Sequence, residues 1–169
     1  HVWLDPENAK IEMEAIRDAL CAADPENSTV FQSNYEKYAA ELDALDAEFR
    51  EKLAPLPNRT IVVAHEAFGY LCDAYGLTQV GIEGLSPDSE PDPGRMAEVI
   101  DFVRDHSIST IFFEELVSPK VAEAIASETG AQAKMLSPLE GLSDEQAAAG
   151  ADYFSVMHDN LAALMEALK

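Results

Sequence analysis

Basic residues are scarce in this chain. Eleven Lys and Arg stand against 32 Asp and Glu, a net charge of −21, which argues against nucleic acid and anionic membrane surfaces as partners. The surplus of acid suits a solvated surface or one that draws cations toward it, and by itself singles out no ligand. Long apolar runs are also missing. None approaches the roughly 18 residues needed to cross a bilayer, and the sequence carries no signal-peptide or lipidation motif. Cysteine is limited to Cys21 and Cys72, too few for a disulfide framework and without C-x-x-C spacing. Each falls on an apolar helical phase, which predicts two buried thiols rather than a bridge. Familiar catalytic signatures are absent too. His65-Glu66 is followed by Gly69 where H-E-x-x-H requires a second histidine, and there is no G-x-S-x-G elbow, Walker loop or G-x-G-x-x-G. No internal repeat or low-complexity tract interrupts the chain.

What is present is a chain of 169 residues with 47% apolar content, enough for one substantial core. It begins on His1 rather than Met, so more sequence is expected upstream in the natural protein. The compartment is not read from this end.

His1-Val2-Trp3-Leu4 reads as a short extended apolar piece. Asp5-Pro6-Glu7-Asn8 then starts a helix, with an acid at the cap and Pro at the first helical position, and Asp24-Pro25 ends it. A second helix is predicted from Ser28 or Thr29 to about Ala54. Phe31, Tyr35, Tyr38, Leu42, Leu45, Phe49 and Leu53 form its apolar stripe, and its length is about 40 Å. From Arg59 strands alternate with helices. Strand Thr60 to Ala64 leads to helix Glu66 to Tyr75, closed by Gly76, and strand Gln79 to Ile82 precedes a loop from Gly84 to Asp92. Helix Pro93 to Asp105, strand Thr110 to Phe113, helix Pro119 to Thr129, strand Ala133 to Leu136, loop Ser137 to Leu142 and helix Tyr153 to Leu168 complete the pattern. Such alternation with short connections predicts an α/β fold with a parallel sheet covered on both faces.

His65 stands where the most apolar strand gives way to a helix. That is the carboxyl edge of the sheet, where ligands bind in open α/β folds. An imidazole there serves as a metal ligand or as a hydrogen-bonded structural residue. His1 likewise adjoins an apolar segment and an acid-led helix start, whereas His106 follows an amphipathic helix, His158 lies among polar residues of the last one, and both read as surface groups. Glu140, in Ser137-Pro138-Leu139-Glu140-Gly141-Leu142, emerges at the same sheet edge and reads either as an exposed loop acid or as a functional carboxylate. Glu114 and Glu115 follow another strand; they read as acids capping the next turn or as a general base beside a metal.

Four stretches together resemble a known family. His1-Val2-Trp3-Leu4-Asp5-Pro6, Val63-Ala64-His65-Glu66-Ala67-Phe68-Gly69-Tyr70, Ile111-Phe112-Phe113-Glu114 and Ser137-Pro138-Leu139-Glu140 are similar to the metal-binding solute-binding proteins (cluster A-I) of bacterial ABC transporters. The likeness extends to Tyr153-Phe154-Ser155-Val156-Met157-His158-Asp159-Asn160-Leu161. It implies a two-lobed protein joined by one long helix, here the helix over 28–56. Residues 1–27 would be a remnant of the amino-terminal lobe, and 57–169 a Rossmann-like carboxyl-terminal lobe with a four-stranded parallel sheet flanked by helices.

The resemblance further implies a metal site in which His1 and His65 match two histidine ligands and Glu140 matches the carboxylate of the zinc branch. Members that prefer manganese have Glu at the position of His65 and Asp at the last ligand. Donor chemistry agrees, because borderline-soft Zn²⁺ accepts imidazoles and a carboxylate in a four-coordinate shell while Mn²⁺ prefers oxygen-rich sites. The family's first histidine ligand has no counterpart here, so weaker zinc binding is expected of this chain alone. The implied role is capture of Zn²⁺ outside the cytoplasm, in the periplasm or on a surface lipoprotein, and delivery to an ABC transporter permease. The ion is then cargo, not a catalytic cofactor, and the protein a monomer rather than an enzyme. The rivals are a manganese receptor, a surface adhesin and a zinc hydrolase using Glu66 or Glu114 as base. Because zinc ligands must be deprotonated, affinity is expected to fall as pH drops through the histidine range near 6 to 6.5. Replacing His65 or Glu140 with Ala is expected to cost affinity without loss of core.

Overall fold

The structure is a computed structural model that describes residues 1–83, 92–115 and 118–169. After a 3-10 turn over Val2–Leu4, the elements run α1 (Pro6–Ala23), a second 3-10 turn over Pro25–Asn27, α2 (Ser28–Leu53), β1 (Thr60–Val63), α3 (Gly69–Tyr75), β2 (Thr78–Gly81), α4 (Pro93–Asp105), β3 (Thr110–Phe113), α5 (Lys120–Thr129), β4 (Gln132–Met135), α6 (Asp144–Ala148) and α7 (Tyr153–Ala167). The strands form one parallel sheet in the order β2-β1-β3-β4, which puts β1 and β3 at its centre.

The unbroken apolar run of β1 follows from this central position. Its side chains alternate between two cores. Ile61 and Val63 face Phe49 and Leu53 of α2, Leu71 of α3 and Met157, Leu161 and Leu164 of α7. Val62 faces the other way, with Ile111, toward Val99 and Val103 of α4 and Ile125 of α5. The result is a sheet layered between helices, with the apolar stripe of α2 buried only over its second half, from Ala39 to Leu53. α1 packs along α2 in a helical hairpin. Lys10 pairs with Asp43, and the Arg17 guanidinium lies 4.3 Å from the centre of the Tyr35 ring. Arg59 ties the two helix ends nearest β1 together, donating to the Leu53 carbonyl at 2.8 Å, the Gly76 carbonyl at 3.1 Å and the Tyr75 carbonyl. A cation is favoured there by the carbonyls that a helix carboxyl end leaves unpaired.

Local details differ from the sequence-based expectations. Residues 1–4 are a 3-10 turn, not an extended piece, because the Leu4 and Asp5 amides bond back to the His1 and Val2 carbonyls at 3.2 and 3.3 Å while Leu4 fills the core. The helix expected from Glu66 begins at Gly69. The Phe68 amide is instead taken by the Gln79 side chain at 2.9 Å, and Glu66 lies over Gly81, where a Cβ would sit 2.5 Å from its Cγ. Thr78 pairs with Thr60 and Gln132 with Thr110, so β2 and β4 each start one residue earlier than expected. Ser143 and Gln146 form a reciprocal cap that nucleates the short α6, an element not anticipated. Both cysteines are free: Cys72 is buried as expected, but Cys21 is only half-buried. The loop expected over 84–92 falls, except for its last residue, outside the described residues.

Candidate metal centre

The sheet register builds the site. Val63 of β1 pairs with Phe112 of β3; two residues further along each strand direction come His65 and Glu114. They lie side by side, 1% and 3% exposed, with the imidazole Nδ1 hydrogen-bonded to the Glu114 carboxylate. Phe113 of β3 pairs with Met135 of β4, and two residues beyond that pair the Ser137 hydroxyl donates to Glu115 Oε1. Glu114 and Glu115 therefore reach toward opposite neighbours of β3. Glu114 is thus held against His65 and is not a free base. Burial pushes the Glu114 carboxyl above its ordinary value, while the His65 imidazole opposes that rise and the nearby Glu140 carboxylate adds to it.

Glu140 comes from the turn after β4. This turn is held at Ser137, whose amide donates to Asn160 Oδ1 at 2.8 Å and whose carbonyl accepts from Asn160 Nδ2 at 2.8 Å. The Leu139 amide donates to the Ser137 hydroxyl at 3.1 Å, and Leu139 itself takes a left-handed φ of +54°. Non-glycine residues adopt that conformation only when their surroundings enforce it. His1 arrives from the other end of the chain. Trp3 Nε1 donates to the Pro138 carbonyl at 2.9 Å, and the Tyr153 hydroxyl donates to the Trp3 carbonyl at 2.8 Å. These bonds bring the His1 ring to 5.3 Å from the His65 ring and His1 Nε2 to 2.5 Å from Glu140 Oε1.

The residues singled out by the resemblance are thus gathered in one place. One donor atom each from His1, His65 and Glu140 lies within 4.8 Å of the others. His65 Nε2 is buried and has no hydrogen-bond partner among the described residues. A buried nitrogen of this kind costs free energy unless something fills the place of a partner. A divalent ion suits it, since two imidazoles and a carboxylate are a zinc donor set. Beside Glu140, Trp3, Leu139, Leu142 and Tyr153 wall an open apolar depression of about 650 Å³. His106 and His158 lie elsewhere: His106 is exposed against the Phe102 carbonyl, and His158 is half exposed, 3.4 Å from Glu48.

Comparison with known proteins follows this geometry. The profile of the family described as zinc-uptake complex component A, periplasmic, matches residues 1–167. The high-affinity zinc uptake system protein ZnuA of Bacillus subtilis (strain 168) is 40% identical over 168 residues, which is 99% of this chain and 53% of that protein. Among solved structures, the Zn(II)-bound ZnuA-like domain of Streptococcus pneumoniae AdcA superposes with a TM-score of 0.87 at 41% identity, covering 99% of this chain and 63% of that one. The laminin-binding protein Lbp of Streptococcus pyogenes superposes with a TM-score of 0.91 at 38% identity, covering 100% and 65%. The chain spans about a third to about half the length of the curated relatives it matches.

Proposed function

Because the chain belongs to the zinc-uptake complex component A family, we propose that it takes part in capturing Zn²⁺ outside the cytoplasm, through His1, His65 and Glu140, for delivery to an ABC transporter permease. The observation that carries this reading is that His65, whose buried Nε2 has no hydrogen-bond partner among the described residues, has a ring nitrogen gathered with donor atoms of His1 and Glu140. His1 and Glu140 hold one another through a hydrogen bond. A bound ion would take one donor atom from each of these two residues in place of that bond. Three donors of this chain leave one position of a tetrahedral shell for water or another group.

The two imidazoles favour zinc over manganese. The family's place in transport supports reading the ion as cargo rather than as the centre of a hydrolase. In the same reading α2 is the strut between two lobes, residues 1–27 belong with the first, and 57–169 form the second. The protein acts as a monomer in the periplasm or on a membrane-anchored lipoprotein. Among the described residues no helix is long and apolar enough to cross a membrane. Likeness to a laminin-binding protein supports a second role in adhesion, which a pull-down with laminin tests.

Calorimetric titration of the chain with Zn²⁺ and Mn²⁺, repeated for Glu140→Gln, tests the main reading. One zinc per chain, bound more tightly than manganese and weakened by the substitution, supports it. A preference for manganese, or zinc binding indifferent to Glu140, contradicts it.

A further inference from the structure

We infer that the adjacent residues Glu114 and Glu115 at the exit of β3 are the common support of the site. Glu114 selects which nitrogen of His65 faces the ion, and Glu115 fixes, through Ser137, the turn that presents Glu140. The inference rests on the zinc-site reading above and deepens it.

The two acids reach opposite neighbours because β3 lies between β1 and β4. The contact joins Nδ1, not Nε2, to a carboxylate oxygen, and such an oxygen accepts from a ring N–H. Held against Glu114, His65 therefore keeps its proton on Nδ1 and leaves the Nε2 lone pair for the metal. The Ser137 hydroxyl has one proton, and it goes to Glu115 Oε1. Its lone pairs must then turn toward the chain that follows, where they accept from the Leu139 amide. That bond holds Leu139 in its left-handed conformation one residue before Glu140. Both acids thus act on a ligand at one remove: the first through a ring, the second through a hydroxyl and a strained backbone.

The test uses the 169-residue chain. Long-range ¹H–¹⁵N NMR reads the His65 tautomer, competition with a chromogenic chelator reads zinc affinity, and thermal unfolding without metal reads the fold. Wild type is expected to show His65 protonated on Nδ1. Glu114→Gln can present either its oxygen or its amide nitrogen to the ring; it is expected to mix the tautomers and weaken zinc by about 10- to 100-fold. Glu115→Gln and Ser137→Ala are expected to weaken zinc by roughly tenfold, at the lower end of such outer-shell effects, with His65 still protonated on Nδ1. Should Glu114→Gln fail to fold, the wild-type tautomer and Glu114→Asp decide the first half. An Nε2-protonated ring in wild type overturns the inference. So do unchanged affinities in the acid variants while His65→Gln loses zinc, an outcome that leaves the site itself standing. If His65→Gln binds zinc like wild type, the site reading falls and the inference falls with it.

Discussion

Trp3 donates its indole N–H to the Pro138 carbonyl at 2.9 Å, and this bond joins the segment that carries His1 to the turn that carries Glu140. The two residues lie 135 positions apart in the sequence. Their contact makes one site out of the segment at His1 and the carboxyl edge of the sheet. Trp3→Phe keeps most of the apolar surface and leaves the Pro138 carbonyl without this donor. It is expected to destabilise the fold by about 1–3 kcal/mol and to weaken zinc binding. Urea unfolding together with a zinc titration checks both, and an unchanged zinc affinity would show that the bond does not align His1 with Glu140.

Asn160 is a buried polar residue on the face of α7 that also buries Met157, Leu161 and Leu164, and it spends its amide on the Ser137 backbone in both directions. Removing it by Asn160→Ala strands a buried N–H and a buried carbonyl, each worth about 1–3 kcal/mol. A loss of several kcal/mol in denaturant stability is expected. Asn160→Leu should be no better, since filling the volume does not pair those groups. If Asn160→Leu proves as stable as wild type, the clasp is not what holds the turn.

The two thiols should behave differently. Burial pushes the Cys72 thiol up to about 12, so at neutral pH it offers almost no thiolate and little access. Cys21 is half-buried, 3.8 Å from the Ser28 carbonyl. A thiol-reactive disulfide reagent at pH 7.5 is expected to label one thiol per folded chain, at Cys21, and two after denaturation. Peptide mapping that finds Cys72 labelled at the same rate would contradict the packing of α3.

Asp152 caps α7, accepting from the Ser155 amide at 2.9 Å in a reciprocal cap. That bond, with help from the Ser155 hydroxyl, holds its carboxyl below the ordinary value of 3.8. A carboxylate favoured in the folded state contributes stability above its ordinary value, and the contribution is lost as pH falls through the lower folded value. Asp152→Ala is expected to cost about 1 kcal/mol at pH 7. The gap between wild type and variant should narrow below pH 3.8. A gap independent of pH from 7 to 2.5 would mean the charge does not contribute to the cap.

The layered sheet was legible because the unbroken apolar run at Ile61 to Val63 demands burial on both faces, and Pro and Gly mark the helix ends. His65 could be placed at the sheet edge on the same grounds. The partnership of His65 with Glu114 was not legible, since it depends on a register in which Val63 pairs with Phe112, and strand boundaries read from sequence do not reveal register. Glu114 and Glu115 consequently looked like interchangeable edge acids. Asn160 and Ser137 entered only as members of stretches that resemble the family, and their partnership was not legible, because a polar residue on a helix or in a loop is exposed by default and only the packed turn gives it a task. His65 also differs from the expectation that its removal leaves the core intact. At 1% exposure its truncation to Ala opens a cavity, and His65→Gln is the cleaner substitution.

The most direct measurement is an anomalous difference map at the zinc edge from crystals of the chain grown with Zn²⁺. The expected result is a single strong peak about 2.0–2.2 Å from Nε2 of His65, a ring nitrogen of His1 and a carboxylate oxygen of Glu140. A peak elsewhere, or one that leaves any of these three residues out of its shell, would contradict the site.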